Sequence, residues 1–462
     1  MRRQLLSSQR RLLSVSRWKT RLVFWSGAVA IGGAAAVFAK GADYADHYFH
    51  LALKYGWWVP LILTPAGLVL VAFLTRKVLP GAEGSGIPQA IAALRSRNEP
   101  HRSMLLSMRI AVGKILLTLI GLLSGASIGR EGPTVHVGAA VMYSIGRFAK
   151  FPRHDIERGL ILAGGAAGIA AAFNTPIAGI VFAIEEMSQS FEEETSGTLF
   201  LAVVLAGVVA VAVLGDYTYF GRTEASMVSY TNWIAVAVCG VVGGAFGGIF
   251  SWAIVTGNRK LRPFARRHPL YLAAACGLVV AGAGILTHGD AFGTGYSAAR
   301  ELVTGSGHSS FLYPVMKMVA TVASYFSGIP GGIFAPSLSV GAGLGDLLSN
   351  FMPGVPVTVV VILGMVAYFS GVVQTPITAF VIVMEMTANQ TMLLPLMAAS
   401  FIAYGVSTMI CKQPIYRALS EAFVWVEPET KEDEKPEEEE GEAAPAEGEA
   451  NTAADDKPSD RV

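Results

Sequence analysis

Gly129-Arg130-Glu131-Gly132-Pro133 stands in an apolar stretch, and Gly332-Ile333-Phe334-Ala335-Pro336 follows it at an offset of 203, with Val137-Gly138 falling on Val340-Gly341 at the same spacing. At an offset of 200, Asn174-Thr175-Pro176-Ile177 aligns with Gln374-Thr375-Pro376-Ile377, Glu185 with Glu385, Gly164 with Gly364 and Ala167 with Ala367. The two halves of the chain are therefore related. A repeat of about 200 residues is too long for a solenoid and suits a membrane architecture in which two repeats meet around a site near the bilayer midplane.

Composition points to the same solvent. The 462 residues are 52% hydrophobic and only 15% charged, and the mean hydropathy of +0.49 is far above that of a soluble chain. Nearly uncharged runs cover residues 22–38, 58–74, 160–184, 199–214, 234–254, 270–286, 357–384 and 392–410. About 20 apolar residues span a bilayer as helix, and several of these runs are shorter or interrupted. The 51 Gly and 22 Pro are scattered inside the apolar regions, which predicts broken helices. Within hydrocarbon, an unpaired backbone group costs several kcal/mol, so broken segments must be buried in protein or line a pathway.

The ends differ in charge. Arg2, Arg3, Arg10, Arg11, Arg17, Lys19 and Arg21 precede the first apolar run and place the N-terminus in the cytoplasm. Residues 427–462 carry fifteen Asp/Glu against four Lys/Arg in a Pro-, Ala- and Gly-rich run, the composition of a disordered tail. The expected organisation is a basic segment over 1–21, a transmembrane domain over 22–425 with halves at roughly 22–215 and 230–425, and an acidic tail over 426–462.

Each half contains a Gly/Pro-rich interruption, and a third lies upstream at Gly84-Ser85-Gly86-Ile87-Pro88. A helix that begins inside the membrane presents unpaired N–H groups and the positive end of its dipole, which attract an anion without a full charge. A fixed cation at the site would hold a halide too tightly for transport. Cys239, Cys276 and Cys411 show no metal or disulfide spacing, His136 has no His or Cys partner at ligand spacing, and Gly84-Ser85-Gly86 lacks the rest of a dinucleotide or P-loop signature. Nothing calls for a cofactor, a metal or nucleic acid. An intramembrane hydrolase with Ser85 as nucleophile would need a nearby base that the sequence does not place.

Together and in this order, the segments at Gly84, Gly129 and Gly332 resemble the three signature segments of the ClC chloride channel and transporter family, prokaryotic type without cytoplasmic regulatory domains. The resemblance covers residues 20 to 425 and implies an all-α polytopic membrane protein with two inverted repeats of tilted, partly broken helices, forming a homodimer in the lipid bilayer of the inner membrane with both termini cytoplasmic. It implies a chloride site made by the hydroxyls of Ser85 and Tyr416 and the backbone N–H groups of Ile333 and Phe334. Glu131 falls on the external gate, whose carboxylate competes with the anion when ionised. Glu186, in Glu185-Glu186-Met187, falls on the internal proton-transfer glutamate of exchangers, a position that is usually not acidic in channels. Lys114, seventeen residues before Glu131, is a secondary candidate for positive potential near the pore; an interfacial lysine snorkelling to headgroups is the bland alternative. Ser85 favours chloride over nitrate, since nitrate exchangers of the family often carry Pro there. The implied activity is exchange of chloride for protons, with a passive chloride channel on the same fold as the alternative.

Overall fold

A computed structural model of the chain describes residues 15–148, 154–188, 193–215, 218–227 and 232–424. Residues 1–14 of the basic segment and the acidic tail lie outside the described residues.

In the first half, α1 (Val15–Leu53) and α2 (Val59–Lys77) precede the short α3 (Ile87–Arg95) and α4 (Glu99–Leu105). There follow α5 (Met108–Leu123), α6 (Glu131–Phe148), α7 (His154–Phe173), α8 (Pro176–Phe182), a π turn (Ala183–Ser188) and α9 (Glu193–Leu214). The second half repeats the series. After α10 (Trp233–Arg267) and α11 (Pro269–Leu286) come α12 (Tyr296–Thr304), α13 (Tyr313–Phe326), α14 (Phe334–Ser349), α15 (Val357–Val373), α16 (Pro376–Thr387), α17 (Leu393–Ile410) and the short α18 (Ile415–Ser420). Six helical stretches among the described residues are long and apolar enough to cross a membrane, and three shorter helices are also apolar.

The apolar runs at 160–184 and 357–384 are each two helices rather than one. Asn174 and Gln374 end α7 and α15 in the left-handed conformation, at φ 56° and 58°. Pro176 and Pro376 then open α8 and α16 at a position where the missing N–H costs nothing. The same residue types at the same spacing thus make the same break twice. Hydropathy alone passes over it, because the residues on both sides are equally apolar.

Within each half the backbones cross closely. A Cβ on Gly138 would lie 2.2 Å from the Gly164 carbonyl oxygen, and one on Gly364 would lie 2.6 Å from that of Gly341, so α6 against α7 and α14 against α15 pack at glycine contacts. Small residues at helix crossings are what packing in lipid selects.

The halves are tied by an exchange of caps. The Glu185 carboxylate accepts from the N–H groups of Ile377 (3.1 Å) and Thr378 (2.6 Å) at the start of α16. Glu385, in α16, accepts from Ile177 (3.2 Å) and Ala178 (2.7 Å) at the start of α8. Each acid satisfies two orphan donors and faces the positive end of a helix dipole. Cys239, Cys276 and Cys411 are buried and unlinked, as packing residues.

Candidate functional site

The three interruptions meet in space, stitched by backbone bonds. Gly129 and Gly332 exchange N–H to carbonyl bonds of 2.6 and 2.7 Å, the Gly84 N–H donates to Ile329, and the Gly331 N–H donates to Gly84, the last two at 3.2 Å. This pairing brings the first turns of α3, α6 and α14 to one place. A Cβ on Gly132 would stand 2.9 Å from the Ser85 Cβ, so only glycine lets α6 start so close to the Ser85 loop. Gly86 has φ 95°, a left-handed value that turns the chain into α3.

Ser85 is buried, and its Oγ accepts from the Ile87 N–H at 3.3 Å. That acceptor role leaves its proton free to donate elsewhere. Ile333 is the N-cap of α14 and Phe334 its first residue. Tyr416, in the first turn of α18, is fully buried, and its hydroxyl makes no hydrogen bond within the protein. Its ring stacks on Phe334 (centroids 5.7 Å apart, planes at 25°), and Phe334 also meets Phe369 at 4.9 Å. The Tyr416 hydroxyl is a buried donor held stiffly by aromatic packing, which fits a site for an anion.

Glu131 opens α6 and is wholly buried, which disposes of a solvated loop glutamate. Its Oε1 lies 3.4 Å from the Tyr219 hydroxyl, and Oε2 makes no hydrogen bond within the protein. A Cβ on Gly129 would stand 2.2 Å from Oε2 and 3.4 Å from the Ala335 nitrogen, so the carboxylate folds back over Gly129 towards the first turn of α14. Arg130 points elsewhere, donating to the Ala39 carbonyl at 2.6 Å and pairing with Asp43 at 3.3 Å.

Glu186 lies in the π turn after α8, 4% exposed, with Oε2 making no hydrogen bond within the protein. Consecutive residues leave the turn in different directions: Glu185 caps α16 while Glu186 is buried. The charged groups near it are Glu185 and Arg95. Tyr416 is within electrostatic reach of both Glu131 and Glu186.

Lys114 is fully buried and does not snorkel. Its Nζ donates to the carbonyls of Glu83 (3.3 Å) and Gly84 (3.2 Å), holding the Ser85 loop from behind. The His136 ring also lies behind that loop, with Nε2 2.9 Å from the Leu105 carbonyl. The site thus gathers dipoles and hydroxyls, with its nearest ammonium already engaged by backbone oxygens.

With this geometry in view, the comparisons with known proteins become specific. The model of the family described as voltage gated chloride channel matches residues 67–408. The chain belongs to that family. Among relatives in the voltage-gated chloride channel family, the H(+)/Cl(-) exchange transporter ClcA of Yersinia pestis bv. Antiqua (strain Angola) is 29% identical over 443 residues, covering 88% of each chain. The ClcA of Vibrio cholerae serotype O1 is 30% identical over 381 residues, covering 78% of this chain and 79% of that one. A solved slow cyanobacterial Cl-/H+ antiporter superposes with a TM-score of 0.76 at 24% identity, covering 87% of this chain and 97% of the other. A CLC-type fluoride/proton antiporter superposes at 0.74 with 22% identity, covering 87% and 97%. The fold is the family's all-α architecture of two inverted repeats, as the signature segments imply.

Sequence reading did not single out Tyr219. It lies in the polar linker between α9 and α10, outside every apolar run; the only signal was the density of aromatics in Tyr217-Thr218-Tyr219-Phe220.

Proposed function

We propose that the protein is a secondary active antiporter that exchanges chloride for protons across the inner membrane, as a homodimer with both termini in the cytoplasm. The observation that carries this reading is a pair of buried acids, Glu131 and Glu186, each with a carboxylate oxygen unbonded in the protein and both within electrostatic reach of Tyr416. A buried, incompletely satisfied acid in a membrane protein is costly, and two around one hydroxyl suit a proton route that passes an anion site. That relatives carry the name H(+)/Cl(-) exchange transporter favours exchange over a passive channel.

Chloride binds between the hydroxyls of Ser85 and Tyr416 and the first-turn N–H groups of Ile333 and Phe334. These donors are partial charges, so the ion is held without being trapped. An ionised Glu131 competes with chloride for the helix N-termini; protonated, it loses that attraction and swings aside. Anion entry and proton uptake are thereby linked. Glu186 relays protons between this region and the cytoplasm, and Lys114 contributes by fixing the Ser85 loop. The protein is a transporter rather than an enzyme: Lys114 and His136, the basic groups next to Gly86, are both engaged with backbone carbonyls.

The test is proton movement into liposomes containing the purified protein under an imposed chloride gradient, with the membrane potential clamped and chloride flux recorded in parallel. Uphill proton pumping that vanishes in Glu131→Gln and Glu186→Gln while chloride still crosses is the expected result. Chloride flux without proton pumping in the wild type means a channel, and no chloride flux removes the reading altogether.

A further inference from the structure

The linker between α9 and α10 does not hang free over residues 218–227. The Phe220 N–H donates to the Met386 carbonyl at 3.0 Å and the Thr223 N–H to that of Thr387 at 3.3 Å. Further along, the Asn389 side chain donates to the Ala225 carbonyl at 2.7 Å and the Thr391 hydroxyl donates to it at 3.1 Å. The segment is therefore strapped along the C-terminal end of α16, the helix whose Glu385 caps α8.

This fastening buries two linker aromatics, Tyr219 at 2% and Phe220 at 1% exposure. The Tyr219 ring meets three others edge-on: Phe173 of α7 at 5.3 Å, Phe220 at 4.9 Å and Tyr296 of α12 at 4.9 Å. Edge-to-face contacts of this kind fix the ring plane and hence the direction of the hydroxyl. That hydroxyl points at Glu131, 3.4 Å from Oε1.

We propose that the strap makes Tyr219 a positioning residue for Glu131, its hydroxyl donating to the ionised carboxylate and holding it against the helix N-termini. The inference rests on the reading of Glu131 as the gate. The other charged and titratable groups facing that carboxylate are Arg130 on its own loop, itself paired with Asp43, and Tyr416 at the start of α18; the amides of Glu131 and Ala335 add dipoles. Of these side chains, Tyr219 alone hydrogen-bonds the carboxylate from a segment between the two halves. The strap therefore sets how readily a proton displaces the gate: a donor to the charged form favours that form, and its loss favours the neutral one.

The experiment measures chloride efflux from liposomes between pH 4.5 and 8 for the full-length wild type, Tyr219→Phe, Tyr219→Leu, Phe220→Leu, Glu131→Gln, and the Glu131→Gln/Tyr219→Phe double variant. Proton coupling is recorded in each. Tyr219→Phe keeps the ring and removes the donor, so the pH of half-maximal flux moves alkaline by about half to one unit. Tyr219→Leu moves it the same way, Phe220→Leu, which loosens one of the three rings around Tyr219 but keeps the donor, moves it less, and the double variant matches Glu131→Gln. A Tyr219→Phe midpoint equal to the wild type, an equal shift in Phe220→Leu, or a difference between the double variant and Glu131→Gln overturns the inference while the gate reading stands. Intact proton pumping in Glu131→Gln overturns both.

Discussion

Lys114 and Lys317, 203 residues apart, each hold with a fully buried ammonium the chain that leads into a nine-residue helix. Lys114 donates to the carbonyls of Glu83 and Gly84 before α3. Lys317 donates to those of Ala291 (3.0 Å), Phe292 (2.9 Å) and Gly293 (2.9 Å) before α12. Gly86 and Gly295 follow as left-handed N-caps. The two lysines are the same device in the two repeats, but only the first stands behind the Ser85 loop.

Replacing Lys317 by Met strands three buried carbonyls, at a cost of about 2 to 3 kcal/mol of stability. After Lys114→Met the Glu83 and Gly84 carbonyls keep the Gln89 amide and the Gly331 N–H as donors, so the loss is smaller. Thermal unfolding in detergent should record the larger loss for Lys317→Met and the smaller for Lys114→Met. Chloride titration calorimetry should separate them: Lys114→Met weakens binding by about 3-fold or more because Ser85 loses its support, whereas Lys317→Met stays within about 2-fold. Equal affinities in the two variants would contradict the assignment of Ser85 to the site.

Tyr416→Phe removes a hydroxyl that the protein itself does not satisfy. Chloride affinity should fall about 10-fold or more, the usual weight of a hydrogen bond to a charged group. Stability without chloride should hold or rise slightly, since an unsatisfied buried group is gone. A loss of stability with unchanged chloride affinity would place the hydroxyl outside the site.

The wild type should carry more chloride as pH falls, because protonation removes the competitor from the helix N-termini. Glu131→Gln is neutral at every pH, so its chloride flux should be flat across the range in which the wild type changes. A Glu131→Gln profile that still rises on acidification would assign the pH dependence to another group.

Glu185→Ala and Glu385→Ala should each destabilise by about 1 to 2 kcal/mol, the cost of a helix cap with its charge. Urea or thermal unfolding of the two variants would test whether the costs match, as the matched geometry requires. A marked inequality would mean that one cap has a second partner.

How far the sequence could be read follows from the kind of signal each feature leaves. Membrane character, the two-fold repeat and the breaks at Gly84, Gly129 and Gly332 are local patterns of hydropathy, Gly and Pro, and they were legible. The roles expected of Ser85, Tyr416, Glu131 and Glu186 came through family resemblance; the structure adds that all four are buried. The division of 160–184 into two helices was hidden because Asn174-Thr175 is too short a polar interruption to lower the hydropathy of the run around it. Lys114 could be read as a headgroup lysine because its carbonyl partners lie about thirty residues away in sequence. Tyr219 left no trace beyond a cluster of aromatics: its significance depends on a loop lying down on α16, a tertiary fact with no local periodicity behind it.

The exchanged caps also say something about descent. Glu185 grips α16 and Glu385 grips α8, so if the repeats arose from one half-length ancestor, a single glutamate would have made both contacts across a symmetric pair of identical subunits. Fusing the genes would have kept that handshake while freeing each copy to drift. The residue after the cap has drifted in just this way: Glu186 is an acid in one half and Met386 stands in its place in the other. A symmetric pair would present that position twice; in this chain the halves differ there, and only the first supplies an acid.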